Sequence, residues 1–143
     1  MKKKLLKNKT YFIISDIHSF ADEMIYSLEK AGFDKTNKDH ILIVNGDVYD
    51  RGFRSLKTYH YIKSIPKARR ILITGNHDML LKQCLEKDYP EQHDFSNGTV
   101  RTICELAGVG TDMEDKLRFN LDYKSFWNVQ ITPSIIKDRK SVV

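Results

Sequence analysis

Three short apolar runs constrain this chain more than any other feature. They are Tyr11 to Ile14 (YFII), Ile41 to Val44 (ILIV) and Ile71 to Thr74 (ILIT). Each is rich in β-branched residues and is followed at once by turn-forming or polar residues, the signature of a buried parallel strand. Between the first two lies Phe20 to Lys30, with Met24, Ile25 and Leu28 at helical spacing and Gly32 closing the segment. Between the second and third lies Ser55 to Ile65, where Leu56, Tyr59 and Ile62 are expected on one apolar face and Pro66 stands just beyond. Parallel strands need a crossover, and a helix supplies it. The expectation is an α/β fold built on a β-α-β-α-β unit. Further helices are predicted at Met79 to Glu86 and Thr99 to Ala107, and past Gly110 the periodic signal weakens.

All three runs end alike. After YFII comes Ser15-Asp16-Ile17-His18. After ILIV come Asn45-Gly46-Asp47 and then Asp50-Arg51-Gly52. After ILIT comes Gly75-Asn76-His77-Asp78. An open parallel sheet binds ligands beyond the carboxyl ends of its strands. Asp16, His18, Asp47, Asp50, Arg51, Asn76 and His77 are therefore expected to converge, with Gly46 and Gly75 allowing sharp turns off the sheet.

Oxygen and imidazole donors of this kind suit Mn, Fe, Zn or Co. A carboxylate at the centre of the cluster can bridge two ions about 3.5–4 Å apart, the spacing that clamps both oxygens of an in-line displacement at phosphorus. Such ions also make a bound water nucleophilic at neutral pH. Arg51 offers a bidentate fork to phosphate oxygens. His77, held by a carboxylate such as Asp50, can protonate a leaving alkoxide. Each motif alone has a plainer reading: Gly-Asp as a turn, Asn-His-Asp as a helix cap. The ordered set, each member after an apolar run, carries the metal reading.

Charge and cysteine content narrow the alternatives. The net charge of +5 resides in the first ten residues, which hold five lysines and no acid; the remainder balances at 19 basic against 19 acidic residues. A short basic stretch at residues 1–9 is the solvated terminus expected of a soluble protein, and a nucleic-acid partner is not expected. No apolar run approaches the roughly 18 residues that cross a membrane, and Leu5-Leu6 is too short for a signal-peptide core. A cytoplasmic location is the expectation. Cys84 and Cys104 form no CxxC pair and are read as buried, unpaired thiols.

The motifs Asp16-Ile17-His18, Gly46-Asp47-Val48-Tyr49-Asp50-Arg51-Gly52 and Gly75-Asn76-His77-Asp78 resemble the first three motifs of the calcineurin-like metallophosphoesterases. Asp-Arg-Gly is similar to the serine/threonine phosphatase branch and its relatives, the bacterial diadenosine tetraphosphatases. The resemblance implies that Asp16, His18 and Asp47 hold one divalent ion, and that Asp47 and Asn76 hold a second, with Mn the first expectation. It implies His77 as general acid paired with Asp50, and Arg51 and Asn76 as phosphate contacts. Asn97-Gly98-Thr99 resembles, more faintly, the Asn-Gly-Gly loop of bacterial members, and reads equally well as a turn into a helix. Ser19 stands where the family has glycine, and Asp78 where this branch more often has Glu.

The family's later histidine motifs have no counterpart here, since His40, His60 and His93 read as surface or packing residues. The expected architecture is thus the first half of a layered α-β-β-α sandwich, with a domain over residues 10–137. Asp138 to Val143 (DRKSVV) is what a common sequencing adapter followed by a stop codon encodes, so residues 138–143 are expected to be a non-native tail. The expected parent activity is serine/threonine phosphatase-like phosphomonoester hydrolysis at a dinuclear centre, on a phosphoprotein or nucleotide. The alternatives are a dinucleoside polyphosphate hydrolase and a non-catalytic binding protein on the same scaffold. The 143-residue chain itself is expected to be almost inactive.

Overall fold

A computed structural model gives the fold and describes residues 4–110, 112–119, 123–133 and 135. The expected boundary at Lys137, the tail at 138–143 and the first three residues of the basic stretch lie outside the described residues. Strands β1 (Thr10–Ile14), β2 (His40–Asn45) and β3 (Arg70–Ile73) form a parallel sheet in the order β1-β2-β3. Helix α1 (Ala21–Lys30) makes the first crossover and α2 (Ser55–Ser64) the second, followed by a short 3-10 turn at Lys67–Arg69. The expected α/β fold, with its parallel β-α-β-α-β unit, is present.

Register decides where the core lies. Tyr11 pairs with Ile41, Phe12 with Leu42, Ile13 with Ile43 and Ile14 with Val44; Ile43 pairs with Ile71, Val44 with Leu72 and Asn45 with Ile73. Parallel partners share a face, so Phe12, Ile14, Leu42 and Val44 lie together. These four pack with Met24 and Leu28 of α1, Ile62 of α2 and Ile65 in the principal apolar core. The opposite face carries Tyr11, Ile13, Ile41, Ile43, Ile71 and Ile73, none of which joins that core. Ile13 remains 68% and Ile73 46% exposed. Among the described residues the principal core thus lies on one side of the sheet, while the other side is apolar, exposed at Ile13 and Ile73 and buried at Ile41.

Helix α1 buries Met24 and Leu28 with Ile25 beside them, and places Asp22 and Glu23 in its first turn, where carboxylates favour the helix dipole. Helix α2 departs from expectation. Its buried residues are Ser55, Thr58 and Ile62, while Leu56 is 36% exposed. The reason is that α2 packs beside a polar helix face further along the chain, to which Ser55 is hydrogen-bonded.

Helix α3 (Asn76–Glu86) starts three residues before the apolar periodicity does. Asp78 accepts the Gly75 N–H at 2.8 Å and so caps this turn. Beyond it run α4 (Gln92–Ser96), α5 (Thr99–Ala107), α6 (Asp112–Phe119) and α7 (Lys124–Phe126), the last continuing into a π-helical turn at Trp127–Ile131. Periodicity signalled only α5 of these four, yet Leu117, Trp127 and Ile131 are fully buried. The Trp127 indole N–H also donates to the Lys87 carbonyl at 3.2 Å, satisfying the ring's one polar atom. Cys84 and Cys104 are free and buried, as expected. No helix among the described residues is long and apolar enough to cross a membrane.

Candidate metal centre

The strand-end residues meet at one edge of the sheet. Asp16, His18 and Asp47 each present a ligand atom, and these atoms lie within 4.8 Å of one another. The β1 and β2 loops are held together by the His18 N–H to the Asp47 carbonyl (3.0 Å) and the Ser19 N–H to the Val48 carbonyl (2.9 Å). His18 is buried, and its Nδ1 lies 3.0 Å from the Tyr49 carbonyl. That contact fixes the tautomer with the proton on Nδ1, leaving the Nε2 lone pair free to ligate an ion beside Asp16 and Asp47. Among the described residues, no lysine or arginine pairs with Asp16 or Asp47. Two carboxylates and an imidazole this close, without a protein cation between them, fit a divalent ion.

The third strand end joins this group. The Asp47 Oδ1 accepts the His77 N–H at 2.9 Å, and the His18 and His77 rings meet edge to face at 4.9 Å. Asn76, next to His77, opens α3 on the same edge and is exposed. The approach is tight: a Cβ on Gly75 would stand 2.4 Å from Asp47 Oδ1, and one on Gly46 would stand 2.9 Å from the Gly75 Cα. Both positions therefore require glycine.

His77 Nδ1 lies 3.0 Å from Asp50 Oδ2. Asp50 is fully buried, and burial pushes its carboxyl above the usual carboxylate range against the pull of hydrogen bonds from Thr99, His77 and Thr102. The Thr99 hydroxyl donates to Oδ2 at 2.7 Å and the Thr102 hydroxyl to Oδ1 at 3.2 Å, while Thr102 Oγ1 accepts the Asp50 N–H at 3.1 Å. Thr99, Thr102 and Glu105 recur every three residues and share one face of α5. Glu105 caps the start of α2 by accepting the Ser55 and Leu56 N–H groups, each at 3.0 Å. Neither threonine nor Glu105 was legible as part of the site, because nothing in the local sequence marks a hydroxyl as the partner of a carboxylate 49 or 52 positions away.

The Asn97-Gly98-Thr99 segment proves to be structural support for Arg51. Gly98 is left-handed (φ 82°) and abuts the Arg51 backbone, the Asn97 carbonyl accepts the Arg51 N–H at 3.1 Å, and Arg101 donates to the Arg51 carbonyl at 3.0 Å. The Arg51 side chain is exposed, with no intramolecular partner among the described residues.

Among the described residues, six other than glycine have positive φ: Asp16 (51°), His18 (47°), Ser19 (62°), Asp47 (53°), Asp50 (71°) and Arg51 (66°). Left-handed backbone costs a side-chain-bearing residue about 1–2 kcal/mol. Every one lies in the loops after β1 and β2, so strain is concentrated where the candidate ligands are held. An open cleft of about 400 Å³ lined by Ser15, Asp16, Phe20 and Glu23 adjoins this edge. A larger hollow of about 620 Å³, lined by Tyr89, Phe95 and Arg118 among others, contains none of these residues.

The remaining histidines stand apart. His40 packs on Phe12 at 4.9 Å, His60 is exposed, and His93 lies in a cluster with Glu91 and Asp94. That cluster already holds a cation, the Lys87 ammonium, 2.7 Å from Glu91 and 2.8 Å from Asp94.

Comparison with known proteins agrees with this geometry. A family model for calcineurin-like phosphoesterases matches residues 9–134. Among similar proteins are symmetrical bis(5'-nucleosyl)-tetraphosphatases. That of Hamiltonella defensa is 39% identical over 85 residues, covering 57% of this chain and 30% of the relative. That of Aliivibrio salmonicida is 42% identical over 72 residues, covering 50% and 25%. That of Photorhabdus laumondii is 43% identical over 70 residues, covering 49% and 24%. The aligned part of the chain thus spans less than a third of each relative's length. With the motif loops gathered at one sheet edge and the family model spanning most of the sequence, the chain belongs to the calcineurin-like phosphoesterase family.

Proposed function

We propose that this chain forms the metal- and phosphate-binding part of a metal-dependent hydrolase that cleaves dinucleoside polyphosphates. The observation that carries the reading is the Asp16–His18–Asp47 cluster lying against the buried Asp50–His77 pair, in a chain whose relatives are named as symmetrical bis(5'-nucleosyl)-tetraphosphatases. Those names favour a nucleotide substrate over the phosphoprotein substrate of a serine/threonine phosphatase.

Asp16, His18 and Asp47 would hold one divalent ion; Asp47 and Asn76 would contribute to a second. When bound, such ions supply a nucleophilic water and neutralise charge on the phosphoryl oxygens. The protein residues do the rest. Arg51, exposed and without a side-chain partner among the described residues, orients a phosphate group through its fork of N–H donors. Asp50 holds His77 by Nδ1, so Nε2 is the atom that carries a proton to the leaving oxygen. Thr99 and Thr102 anchor Asp50 and keep it from turning away from His77. With Asp47 and Asn76 as its ligands among the described residues, a second ion would be under-liganded, so the 143 residues alone should turn over slowly.

The test compares the 143-residue chain with a version extended by the C-terminal portion of a relative, in excess Mn²⁺. The extended protein should convert diadenosine tetraphosphate to ADP faster than it dephosphorylates a phosphoserine peptide, and His77→Asn should slow it. Preference for the phosphopeptide would restore the phosphatase reading. Hydrolysis of neither substrate, with Mn²⁺ bound, would favour a non-catalytic binding protein.

A further inference from the structure

Asp78 is buried to 3% exposure, yet the proposed chemistry assigns it no task. Its carboxylate is aimed at backbone from two different loops. Oδ2 accepts the Asp47 N–H at 2.9 Å and the Gly75 N–H at 2.8 Å; Oδ1 accepts the Val48 N–H at 3.1 Å. The two oxygens therefore tie the loop after β2 to the loop after β3. Asp47 answers in kind, its Oδ1 taking the His77 N–H at 2.9 Å. Asp78 thus clasps the Asp47 backbone, and Asp47 in turn clasps the backbone of His77, the residue before Asp78. Gly46 and Gly75 let those backbones close to contact distance.

We propose that Asp78 is a positioning residue for the metal centre, setting the separation of Asp47 from Asn76 and so the place of the two ions. The inference rests on the reading of Asp47 and Asn76 as metal ligands. A cap on α3 alone would need only the Gly75 N–H. The other two bonds, to Asp47 and Val48, leave the helix and reach the strand-end loop that bears the Asp47 carboxylate. Asp47 is held at positive φ (53°), a conformation that relaxes unless its neighbours over-determine it. Two of the bonds that hold it there come from Asp78, through the amides of Asp47 and Val48. Substituting Asn leaves one oxygen and turns an N–H₂ group against N–H donors, so at least one of the three amides loses its acceptor. Glu keeps both oxygens on a longer stem.

The experiment uses the 143-residue chain and its Asp78→Asn, Asp78→Glu and Asp47→Asn variants. Mn²⁺ affinity is read by the loss of free-ion EPR signal, and amide exchange by NMR without metal. In the parent, the Asp47, Val48 and Gly75 amides should exchange slowly, and Asp47→Asn should abolish tight Mn²⁺ binding. Asp78→Asn should weaken Mn²⁺ at least tenfold and speed exchange at one or more of those amides, while β1 amides keep their protection. Asp78→Glu should recover affinity to within threefold of the parent. Asp78→Asn binding Mn²⁺ within twofold of the parent would overturn the proposal and leave the metal centre intact. Should that variant fail to fold, fast exchange of the three amides in the parent, or a tenfold loss in Asp78→Glu, overturns it. A parent whose Mn²⁺ binding ignores Asp47→Asn defeats the metal reading itself and this inference with it.

Discussion

Gly75→Ala separates packing from backbone effects at the point where two site loops touch. Gly75 has φ −100° and ψ −178°, ordinary extended backbone that alanine adopts freely. Conformational entropy alone would make the change stabilising by about 0.4–1 kcal/mol. The obstacle is space. The added Cβ would stand 2.4 Å from Asp47 Oδ1 and 2.5 Å from Asp47 N, where ordinary contact begins at 3.4 Å. The two loops must part by about 1 Å (3.4 less 2.4), and the nearer atoms are the half-buried Asp47 backbone and its hydrogen-bonded carboxylate, not a flexible side-chain end. Overpacking by one methyl costs about 1–3 kcal/mol. Stretching the His77 N–H bond to Asp47 adds about 1 kcal/mol. The net expectation is a loss of about 1–4 kcal/mol, out of the 5–15 kcal/mol typical of a domain.

Gly32→Ala is the control. It has φ 93° and nothing within 4 Å of the new methyl, so its cost is backbone alone, about 1–2 kcal/mol. Urea denaturation without metal reads both. Only Gly75→Ala should also weaken Mn²⁺, because only it displaces Asp47. A Gly75→Ala protein that loses less than 1 kcal/mol, or binds Mn²⁺ as the parent does, refutes the tight-contact reasoning.

Asp16 has a side chain 67% exposed, so Asp16→Asn should change metal-free stability by less than about 0.5 kcal/mol; its Mn²⁺ affinity should nonetheless fall at least tenfold, as measured by EPR titration. Burial raises the Asp50 carboxyl above its ordinary 3.8, so its contribution to stability is intact below that value and declines as pH rises through the folded-state pKa. Denaturation at stepped pH should therefore show the parent losing stability relative to Asp50→Asn as pH climbs, and a parallel pair of curves would contradict this. Burial pushes the Cys104 thiol up to about 12 and the Cys84 thiol higher still. Mass spectrometry should find neither alkylated by iodoacetamide at pH 8 until urea unfolds the chain.

Sequence alone located the strands because an apolar run ending in Gly, Asp or Asn is a local signal, complete within six or seven residues. The same signal marked Asp16, His18, Asp47, Asp50 and His77, since the carboxyl ends of parallel strands lie on one edge by construction. Periodicity found α1 but misjudged α2, whose partner is polar: Ser55 and Thr58 are buried while Leu56 is half-exposed. It missed the helices after Gly110, since Leu117, Trp127 and Ile131 are buried by neighbours distant in the chain.

What the chain's own order determined is therefore the sheet, its crossovers and the set of chemical groups at its edge, each written in contiguous residues whose hydrophobicity and turn chemistry act locally. Tertiary structure decided how those groups are held. The Thr99 and Thr102 grip on Asp50, the Asp78 clasp on Asp47, and the left-handed backbone at six non-glycine residues exist only after loops some thirty to fifty positions apart are pressed together. A hydroxyl or carboxylate becomes a positioning group through the partner that folding brings to it. A backbone conformation costing about 1–2 kcal/mol per residue persists only where packing and hydrogen bonds from elsewhere in the chain outweigh it.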